Sequence, residues 1–173
     1  MRKILLVIDM QNDFIDGALG TPEAEAIVDR VIEEIGKYPV ADIFATRDTH
    51  PENYLETQEG HNLPVVHCVK GTPGWELNDK IAAALDGASI IDKPTFGSRV
   101  LAERMVELAR DDELDITLVG LCTDICVVSN ALLIKAFLPE TPIHVIDDCC
   151  AGVTPESHKA ALDTMRMCQI QIQ

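Results

Sequence analysis

Basic residues are scarce in this 173-residue sequence, which has 14 Lys and Arg against 29 Asp and Glu and a formal net charge of −15. Nucleic-acid-binding proteins present a basic face, so this balance argues against a nucleic-acid partner. No apolar run reaches the length of a membrane span, and we expect no membrane association. An acidic surface modestly repels anions, which favours a neutral small molecule as the partner.

Several other signals are missing. No secretory signal precedes the apolar run that starts at Ile4, and the sequence has no internal repeat and no Pro/Gly-rich linker. We therefore expect a single domain, residues 1–173, located in the cytoplasm, where its six cysteines stay reduced. Phosphate-binding glycine loops of the Walker or dinucleotide type are also absent. The hydrophobic fraction of 47% is sufficient for a sizeable core.

Short apolar runs alternate with helical patterns along the whole chain. The apolar runs are typical of strands, and they are Ile4–Ile8, Ile43–Thr46, Ser89–Ile91, Ile116–Val119, Ile143–Ile146 and Cys168–Ile172. This alternation predicts the α/β class: a three-layer αβα, Rossmann-like fold with a mainly parallel, roughly six-stranded sheet.

Four chemically active side chains come at or just after the ends of predicted strands. They are Asp9, Asp48, Lys93 and Cys126. Because the carboxyl ends of parallel strands meet at one edge of a sheet, we expect these side chains to share a crevice there.

A strand, a turn and a helix are predicted in succession around Gly120. Ile116–Val119 is the strand, and Gly120 would allow a sharp turn. Thr123 and Asp124 are good N-cap residues, and apolar positions recur at helical spacing from Ile125 to Phe137.

Cys126 therefore falls in the first turn of a predicted helix. Unpaired N–H groups and the positive end of the helix dipole favour a thiolate there, so we interpret Cys126 as a nucleophile. Two alternatives stay open. Free cysteines are often simply buried in a core. Cys122 and Cys126 could also form a redox pair, although their C-x3-C spacing differs from the C-x2-C of thioredoxin-like sites.

Asp9 and Lys93 would complete a nucleophilic site. Asp9 could take the thiol proton and pass it to a leaving amine, and Lys93 could lower the pKa of the thiol. The backbone N–H groups of Cys122 and Cys126 could hold an oxyanion while an acyl-thioester forms and is hydrolysed. Each residue also has an ordinary interpretation, Asp9 as a loop cap and Lys93 as a surface lysine.

A second constellation predicts a metal site formed by Asp48, His50, Glu59 and His67. Two imidazoles and two carboxylates suit a divalent ion such as Zn²⁺, Fe²⁺ or Mn²⁺. The alternative is a solvated polar loop, with His61 as a competing ligand. We interpret the two remaining histidines as structural or surface residues and the adjacent Cys149 and Cys150 as packing residues.

Taken together, these motifs resemble one family over nearly the whole chain. They are Val7-Ile-Asp9-Met-Gln-Asn-Asp13-Phe14, Thr46-Arg-Asp48-Thr-His50-Pro51, His67-Cys68, Lys93-Pro-Thr-Phe96 and Val119-Gly-Leu-Cys-Thr-Asp-Ile-Cys126-Val. The sequence is similar to the isochorismatase-like cysteine hydrolases, most of all to the nicotinamidase/pyrazinamidase branch. True isochorismatases lack the nucleophilic cysteine, so Cys126 argues against that activity.

The resemblance implies hydrolysis of nicotinamide to nicotinate and ammonia, as in pyridine nucleotide salvage, by an Asp9–Lys93–Cys126 triad. It also implies a non-proline cis peptide bond before Cys122. The alternative is hydrolysis of another small amide, ureide or carbamoyl compound by the same triad. A rival from another class is a redox or metal-sensing module built on Cys122 and Cys126.

The resemblance further implies a metal that holds the pyridine nitrogen, with zinc as the first expectation and iron or manganese as alternatives. Asp48, His50 and His67 match ligand positions of the family. Tyr54 occupies the place where many relatives have a third histidine, and Glu59 fits the variant in which a later glutamate replaces it. By the same resemblance, Phe14 and Phe96 would form aromatic walls around the substrate, and the protein would be a homo-oligomer.

Overall fold

The computed structural model describes residues 1–173. Six parallel strands form one sheet in the order β3-β2-β1-β4-β5-β6. The strands are β1 Arg2–Ile8, β2 Ile43–Asp48, β3 Ser89–Lys93, β4 Leu114–Leu121, β5 Ile143–Ala151 and β6 Gln171–Ile172. The predicted αβα fold with a parallel, six-stranded sheet is confirmed.

Seven α-helices accompany the sheet. They are α1 Asn12–Ile15, α2 Pro22–Ile35, α3 Gln58–Asn62, α4 Asp79–Ala84, α5 Arg99–Leu108, α6 Val128–Phe137 and α7 Pro155–Met167. Short 3₁₀ turns occupy Val40–Asp42 and Tyr54–Glu56, and a π-helical turn, Thr123–Val127, precedes α6. No helix combines the length and the apolarity that crossing a membrane requires.

The central strand β1 explains why helices cover both faces. From Ile4 to Ile8 its side chains alternate between two separate apolar cores and are fully buried in both. Leu5 and Val7 pack in the core under α2 and α4. Ile4, Leu6 and Ile8 pack in the core under α5, α6 and α7. A strand covered on both sides needs a continuous apolar run, which is the pattern that the sequence shows.

Two helices begin where a capping residue precedes a proline. The Thr21 side chain accepts a hydrogen bond from the Ala24 N–H, and Pro22 is the first residue of α2. Thr154 does the same for α7 in a reciprocal capping box with Ser157. These caps satisfy backbone N–H groups that the helix itself leaves free.

Two details around Gly120 differ from the sequence-based expectation. Gly120 is not at a turn but inside β4, with φ of 117°, and a Cβ there would collide with the Ile8 carbonyl oxygen. Thr123 and Asp124 do not cap the following helix. Thr123 Oγ1 instead hydrogen-bonds His158, and Asp124 accepts the Val153 N–H.

The last strand is also shorter than expected. The alternating pattern predicts a strand over Cys168–Ile172, but α7 extends through Met167 and β6 contains only Gln171 and Ile172. Gln169 takes a left-handed conformation with φ of 65°, which ends the helix before the strand can begin. β6 lies at the edge of the sheet.

Candidate active site

The carboxyl end of the sheet gathers the four strand-end side chains. Asp9 follows β1 in a left-handed conformation with φ of 46°, which aspartate tolerates better than most residues. Asp48 and Lys93 are the last residues of β2 and β3 and are partners in the parallel register. Cys126 lies in the π-helical turn after β4. The expected crevice is therefore present.

Lys93 contacts both other members of the predicted triad. Its Nζ lies 2.7 Å from Asp9 Oδ2 and 3.2 Å from Cys126 Sγ. It also donates to the Thr95 carbonyl at 3.1 Å. Thr46 Oγ1 donates to Asp9 Oδ1 at 2.6 Å, which fixes the carboxylate. The exposed fraction is 0% for Asp9, 1% for Lys93 and 4% for Cys126, so the group is screened from bulk water.

Burial dominates the protonation of this group. It raises the pKa of the Cys126 thiol well above its usual value, the charge of Asp9 adds to this, and Lys93 offsets only part of it. Burial raises the pKa of Asp9 as well, again partly offset by Lys93. Burial lowers the pKa of Lys93, but Asp9, Cys126 and Asp48 together raise it above its usual value. The expected low thiol pKa is therefore wrong for the free protein, because desolvation outweighs Lys93 and the helix end.

The second group consists of Asp48, His50, Glu59 and His67, called the metal group below. Their ligand atoms all lie within 4.8 Å of one another. His50 Nε2 lies 2.8 Å from Asp48 Oδ2, and Glu59 Oε1 lies 3.7 Å from the Nε2 atoms of both histidines. Four donors that converge this closely, two nitrogen and two oxygen, match the coordination of a small divalent ion.

The His67 ring is oriented for such a role. Its Nδ1 lies 2.8 Å from the Val65 carbonyl oxygen, which can only accept, so Nδ1 carries a proton and Nε2 is the ring nitrogen that faces the metal group. For His50, burial lowers the pKa, but the neighbouring Asp48 carboxylate raises it by more, so the pKa of His50 lies above its usual value. Burial raises the pKa of Glu59, partly offset by His50.

Tyr54 is buried beside the metal group without joining it. Its ring packs edge-on against His50 and His67, with centroids 4.8 and 5.0 Å away. Its hydroxyl donates to the Leu63 carbonyl at 2.8 Å. Tyr54, which the resemblance puts at the position of a third histidine, therefore packs against the two imidazoles, and Glu59 brings the fourth candidate ligand atom.

One narrow pocket joins the two groups. It is lined by Cys122, Cys126, Asp48, Glu59 and His67, and by the apolar side chains of Phe14, Leu19, Leu63, Phe96 and Ile125. Phe14 and Phe96 are thus brought to the same cavity, and Phe14 also packs on His67 with centroids 5.6 Å apart. Leu19, Leu63 and Ile125 are lining residues that sequence reasoning missed.

Cys122 lines the same pocket as Cys126, and the Leu121–Cys122 peptide bond is cis, as the resemblance implies. All six cysteines are free thiols. The redox or metal-sensing alternative requires either a Cys122–Cys126 disulfide or a metal held by both thiolates. The sulfur of Cys126 lies 3.2 Å from Lys93 Nζ.

The remaining candidates lie outside the site. His61 is exposed and is not part of the metal group. His144 pairs with Asp115 at 2.8 Å, and His158 bridges Thr123 and Asp147. His158 is thus hydrogen-bonded on both ring nitrogens, which is a structural role. The adjacent Cys149 and Cys150 are buried in the two cores, as expected for packing residues.

Comparisons with known proteins find relatives that match this chain over nearly its whole length. The nicotinamidase/pyrazinamidase of Mycobacterium tuberculosis is 27% identical over 98% of this chain and 97% of its own length. A pyrazinamidase of Pyrococcus horikoshii, solved in complex with zinc, is 31% identical, with a TM-score of 0.79 over 100% of this chain and 99% of that one. The N-carbamoylsarcosine amidase of Thermoplasma acidophilum is 25% identical, with a TM-score of 0.75 over 100% and 96% of the two chains.

The family assignment covers almost every residue. Residues 3–173 match the isochorismatase domain, a span that includes the six strands apart from Arg2 and both groups of polar side chains. The chain belongs to the isochorismatase family.

Proposed function

We propose that this protein is a nicotinamidase-like amidohydrolase that converts nicotinamide to nicotinate and ammonia. The observation that carries the proposal is the position of Lys93 Nζ, 3.2 Å from Cys126 Sγ and 2.7 Å from Asp9 Oδ2. This arrangement opens onto a pocket shared with the metal group. The relatives named nicotinamidase or pyrazinamidase support the choice of substrate.

In the first half-reaction, Asp9 accepts the thiol proton as Cys126 Sγ attacks the carboxamide carbon. Asp9 Oδ2 is suited to this step because it is buried and accepts no hydrogen bond other than its ion pair with Lys93. Lys93 stays protonated. Its positive charge stabilises the Asp9 carboxylate before the proton is transferred and the Cys126 sulfur while it is transferred. The N–H groups of Cys122 and Cys126 hold the oxyanion. Asp9 then returns the proton to the nitrogen, the C–N bond breaks, and ammonia leaves.

In the second half-reaction, water hydrolyses the thioester. Asp9 takes a proton from the attacking water, the C–S bond breaks, and the acid product leaves as the thiol is restored. The raised thiol pKa helps here, because it draws the proton back to the sulfur at the end of the cycle. The burial that disfavours a resting thiolate thus favours regeneration of the enzyme.

The residues present fit a resident metal ion. Asp48, His50, Glu59 and His67 would hold it, and the contact of His67 Nδ1 with the Val65 carbonyl orients Nε2 toward the other three. A bound divalent ion would act as a Lewis acid that anchors a ring nitrogen of the substrate. Zinc is our first choice, since the Pyrococcus relative was solved with zinc, and iron or manganese are alternatives. Phe14 and Phe96 would flank the ring.

A second candidate function uses the same triad on a small carbamoyl compound. It is favoured by the similarity to an N-carbamoylsarcosine amidase over the full length of this chain. The mainly apolar lining argues for a flat ring instead, because its polar side chains are Asp48, Glu59 and His67, and no Lys or Arg lines the pocket to pair with a charged carbamoyl acid.

The decisive experiment is an ammonia-release assay on purified protein whose metal content is measured on the same sample. We expect nicotinamide to be the best substrate of a panel that includes pyrazinamide, N-carbamoylsarcosine and simple ureides, and about one divalent ion per chain. Release from carbamoyl compounds alone would favour the second candidate. Release from none of them by metal-loaded protein would refute both.

We further propose that the chain acts as a single domain in the cytoplasm. Six free thiols suit a reducing compartment, and the excess of acidic residues suits a protein that does not bind nucleic acid. The homo-oligomer that the resemblance implies is a proposal as well, which light scattering coupled to size-exclusion chromatography tests directly.

A further inference from the structure

Two polar side chains between Asp9 and Phe14 have no part in the reaction proposed above. Gln11 has an exposed fraction of 0%, and Asp13 is half-buried. An amide buried this deeply is costly unless its hydrogen bonds are made, so the identity of its partners shows what it holds in place.

The Gln11 side chain hydrogen-bonds both backbone polar groups of Asp48. Its Oε1 accepts the Asp48 N–H at 2.7 Å, and its Nε2 donates to the Asp48 carbonyl at 2.8 Å. The second hydrogen of the same Nε2 reaches the Trp75 carbonyl at 2.8 Å. Asp48 is the last residue of β2, and on the side that faces β1 the backbone pairing ends with the bond from the Asp9 N–H to the Thr46 carbonyl. The Gln11 side chain therefore continues the ladder and fixes the direction in which the Asp48 carboxylate leaves the strand.

Asp13 makes a comparable contact next to His67. Its Oδ2 accepts the Cys68 N–H at 2.8 Å, and Cys68 has a left-handed conformation with φ of 47°. A non-glycine residue keeps that conformation only when its surroundings impose it. The Asp13 carboxylate thus helps to set the backbone that directs the His67 ring toward the metal group.

We infer that Gln11 is a positioning residue for the metal group through Asp48, and that Asp13 acts in the same way through His67. The inference rests on the metal site of the proposed function and adds to it. Both residues closely follow Asp9 in the chain. The short segment from Asp9 to Asp13 would therefore set the distance between the Asp9 carboxylate and the substrate ring that the metal would hold. Losing the Gln11 hydrogen bonds should therefore weaken metal binding and raise the KM for nicotinamide.

Asn130 provides a matched control on the opposite side of the pocket. It too is 0% exposed, and its Oδ1 accepts the Ser98 N–H at 2.8 Å. Its Nδ2 donates to the carbonyls of Cys126 and Phe96 at 2.8 and 3.2 Å. Asn130 is thus a second buried amide clamp, but it makes no hydrogen bond to a residue of the metal group.

The test compares Gln11→Glu with Asn130→Asp, two isosteric changes of a buried amide to an acid. Metal-free wild-type protein and both variants are titrated with Co²⁺, followed by calorimetry and by the visible spectrum of the ion. We expect Gln11→Glu to bind Co²⁺ about 10-fold to 100-fold more weakly, with an altered spectrum, as is usual when a partner of a ligand is lost. Asn130→Asp should keep wild-type Co²⁺ affinity and lose ammonia release. Gln11→Glu that binds Co²⁺ within about twofold of wild type, with the same spectrum, would overturn the inference.

A second pair of variants covers the case in which Gln11→Glu does not fold, which circular dichroism of the metal-free protein detects. Asp13→Ala removes the acceptor for the Cys68 N–H and should weaken Co²⁺ binding. Asp13→Asn keeps an acceptor oxygen and should bind Co²⁺ about as tightly as wild type. Equal Co²⁺ affinity in both would overturn the inference. Wild-type protein that fails to bind Co²⁺ at all would instead refute the metal site of the proposed function.

Discussion

Lys93 Nζ lies 3.5 Å from Asp48 Oδ1, and this contact joins the predicted triad to the metal group. The two residues are register partners at the ends of β2 and β3, so the sheet itself brings them together. The same ammonium lies 2.7 Å from Asp9. Lys93 therefore compensates two buried carboxylates in addition to contacting the sulfur of Cys126, and its loss should affect both stability and turnover.

Lys93→Met should destabilise the fold by about 3–5 kcal/mol, because it leaves buried carboxylates without a cation. It should also abolish ammonia release. Urea denaturation and the nicotinamide assay measure the two effects. The double variant Lys93→Met with Asp9→Asn should regain part of the stability without regaining activity. Unchanged stability of the single variant would show that the carboxylates are not charged in the native protein.

Cys126→Ala should reduce ammonia release by about 10⁴-fold or more while the fold persists, since it removes the proposed nucleophile. Cys122→Ala should keep most of the activity, because the proposed role of Cys122 belongs to its backbone N–H. Cys168→Ala, at an exposed position, is the neutral control. Substantial turnover by Cys126→Ala would end the thioester mechanism.

The positions of the polar residues at strand ends were predictable because topology alone decides them. Once the apolar run of β1 indicates a parallel strand, Asp9 must lie at the carboxyl edge together with Asp48 and Lys93. The convergence of Glu59 with His67 was less accessible, since these residues lie in an irregular segment without periodicity. The ligand chemistry of two imidazoles and two carboxylates pointed to them, without a regular spacing, and the resemblance to a family then supported the choice.

Other features depend on packing that no sequence pattern records. The raised pKa of Cys126 follows from the burial of its thiol. The sequence places Cys126 near a helix start but does not show how deeply the side chain is buried. Leu63 and Ile125 line the pocket from an irregular segment and from the π-helical turn. Without a regular helix or strand period, the sequence does not predict which way an apolar side chain points. Gly120 was expected at a turn because glycine is common there, but its purpose is the close approach to Ile8.

Gly120→Ala should cost more stability than Gly71→Ala, although both glycines have positive φ, 117° and 82°. A Cβ added to Gly71 would meet no other atom within 4 Å, so alanine there suffers only from the left-handed conformation, roughly 1–2 kcal/mol. At Gly120 the added methyl also collides with the Ile8 carbonyl, for about 1–3 kcal/mol more. Chemical denaturation of both variants measures the difference. Equal losses would show that β1 and β4 can separate freely.

Alkylation of Cys126 should be slow near neutral pH and should accelerate as the pH rises. Burial and Asp9 raise the pKa of this thiol, so the reactive thiolate becomes populated only at higher pH than for an ordinary cysteine. Asp9→Asn removes a negative charge and should lower that pKa, so alkylation at fixed pH should become faster even though turnover is lost. Peptide mapping after iodoacetamide treatment gives both rates, with exposed Cys168 as the internal reference. Slower alkylation of Cys126 in Asp9→Asn would contradict the assigned role of the Asp9 charge.

Glu59 and His61 distinguish a ligand from a nearby bystander. Glu59 Oε1 lies 3.7 Å from the Nε2 atoms of both His50 and His67, whereas His61, two residues later, is exposed and outside the metal group. A ligand that binds only the native state raises the melting temperature to an extent that grows with its affinity. Added Zn²⁺ should therefore raise the melting temperature of metal-free wild-type protein and of His61→Ala equally, and that of Glu59→Ala much less.

Glu59→Ala should also raise the KM for nicotinamide more than it lowers kcat, because the proposed ion anchors the ring and takes no part in breaking the C–N bond. An equal Zn²⁺ response in all three proteins would remove Glu59 from the ligand set and leave Asp48, His50 and His67 to hold the ion.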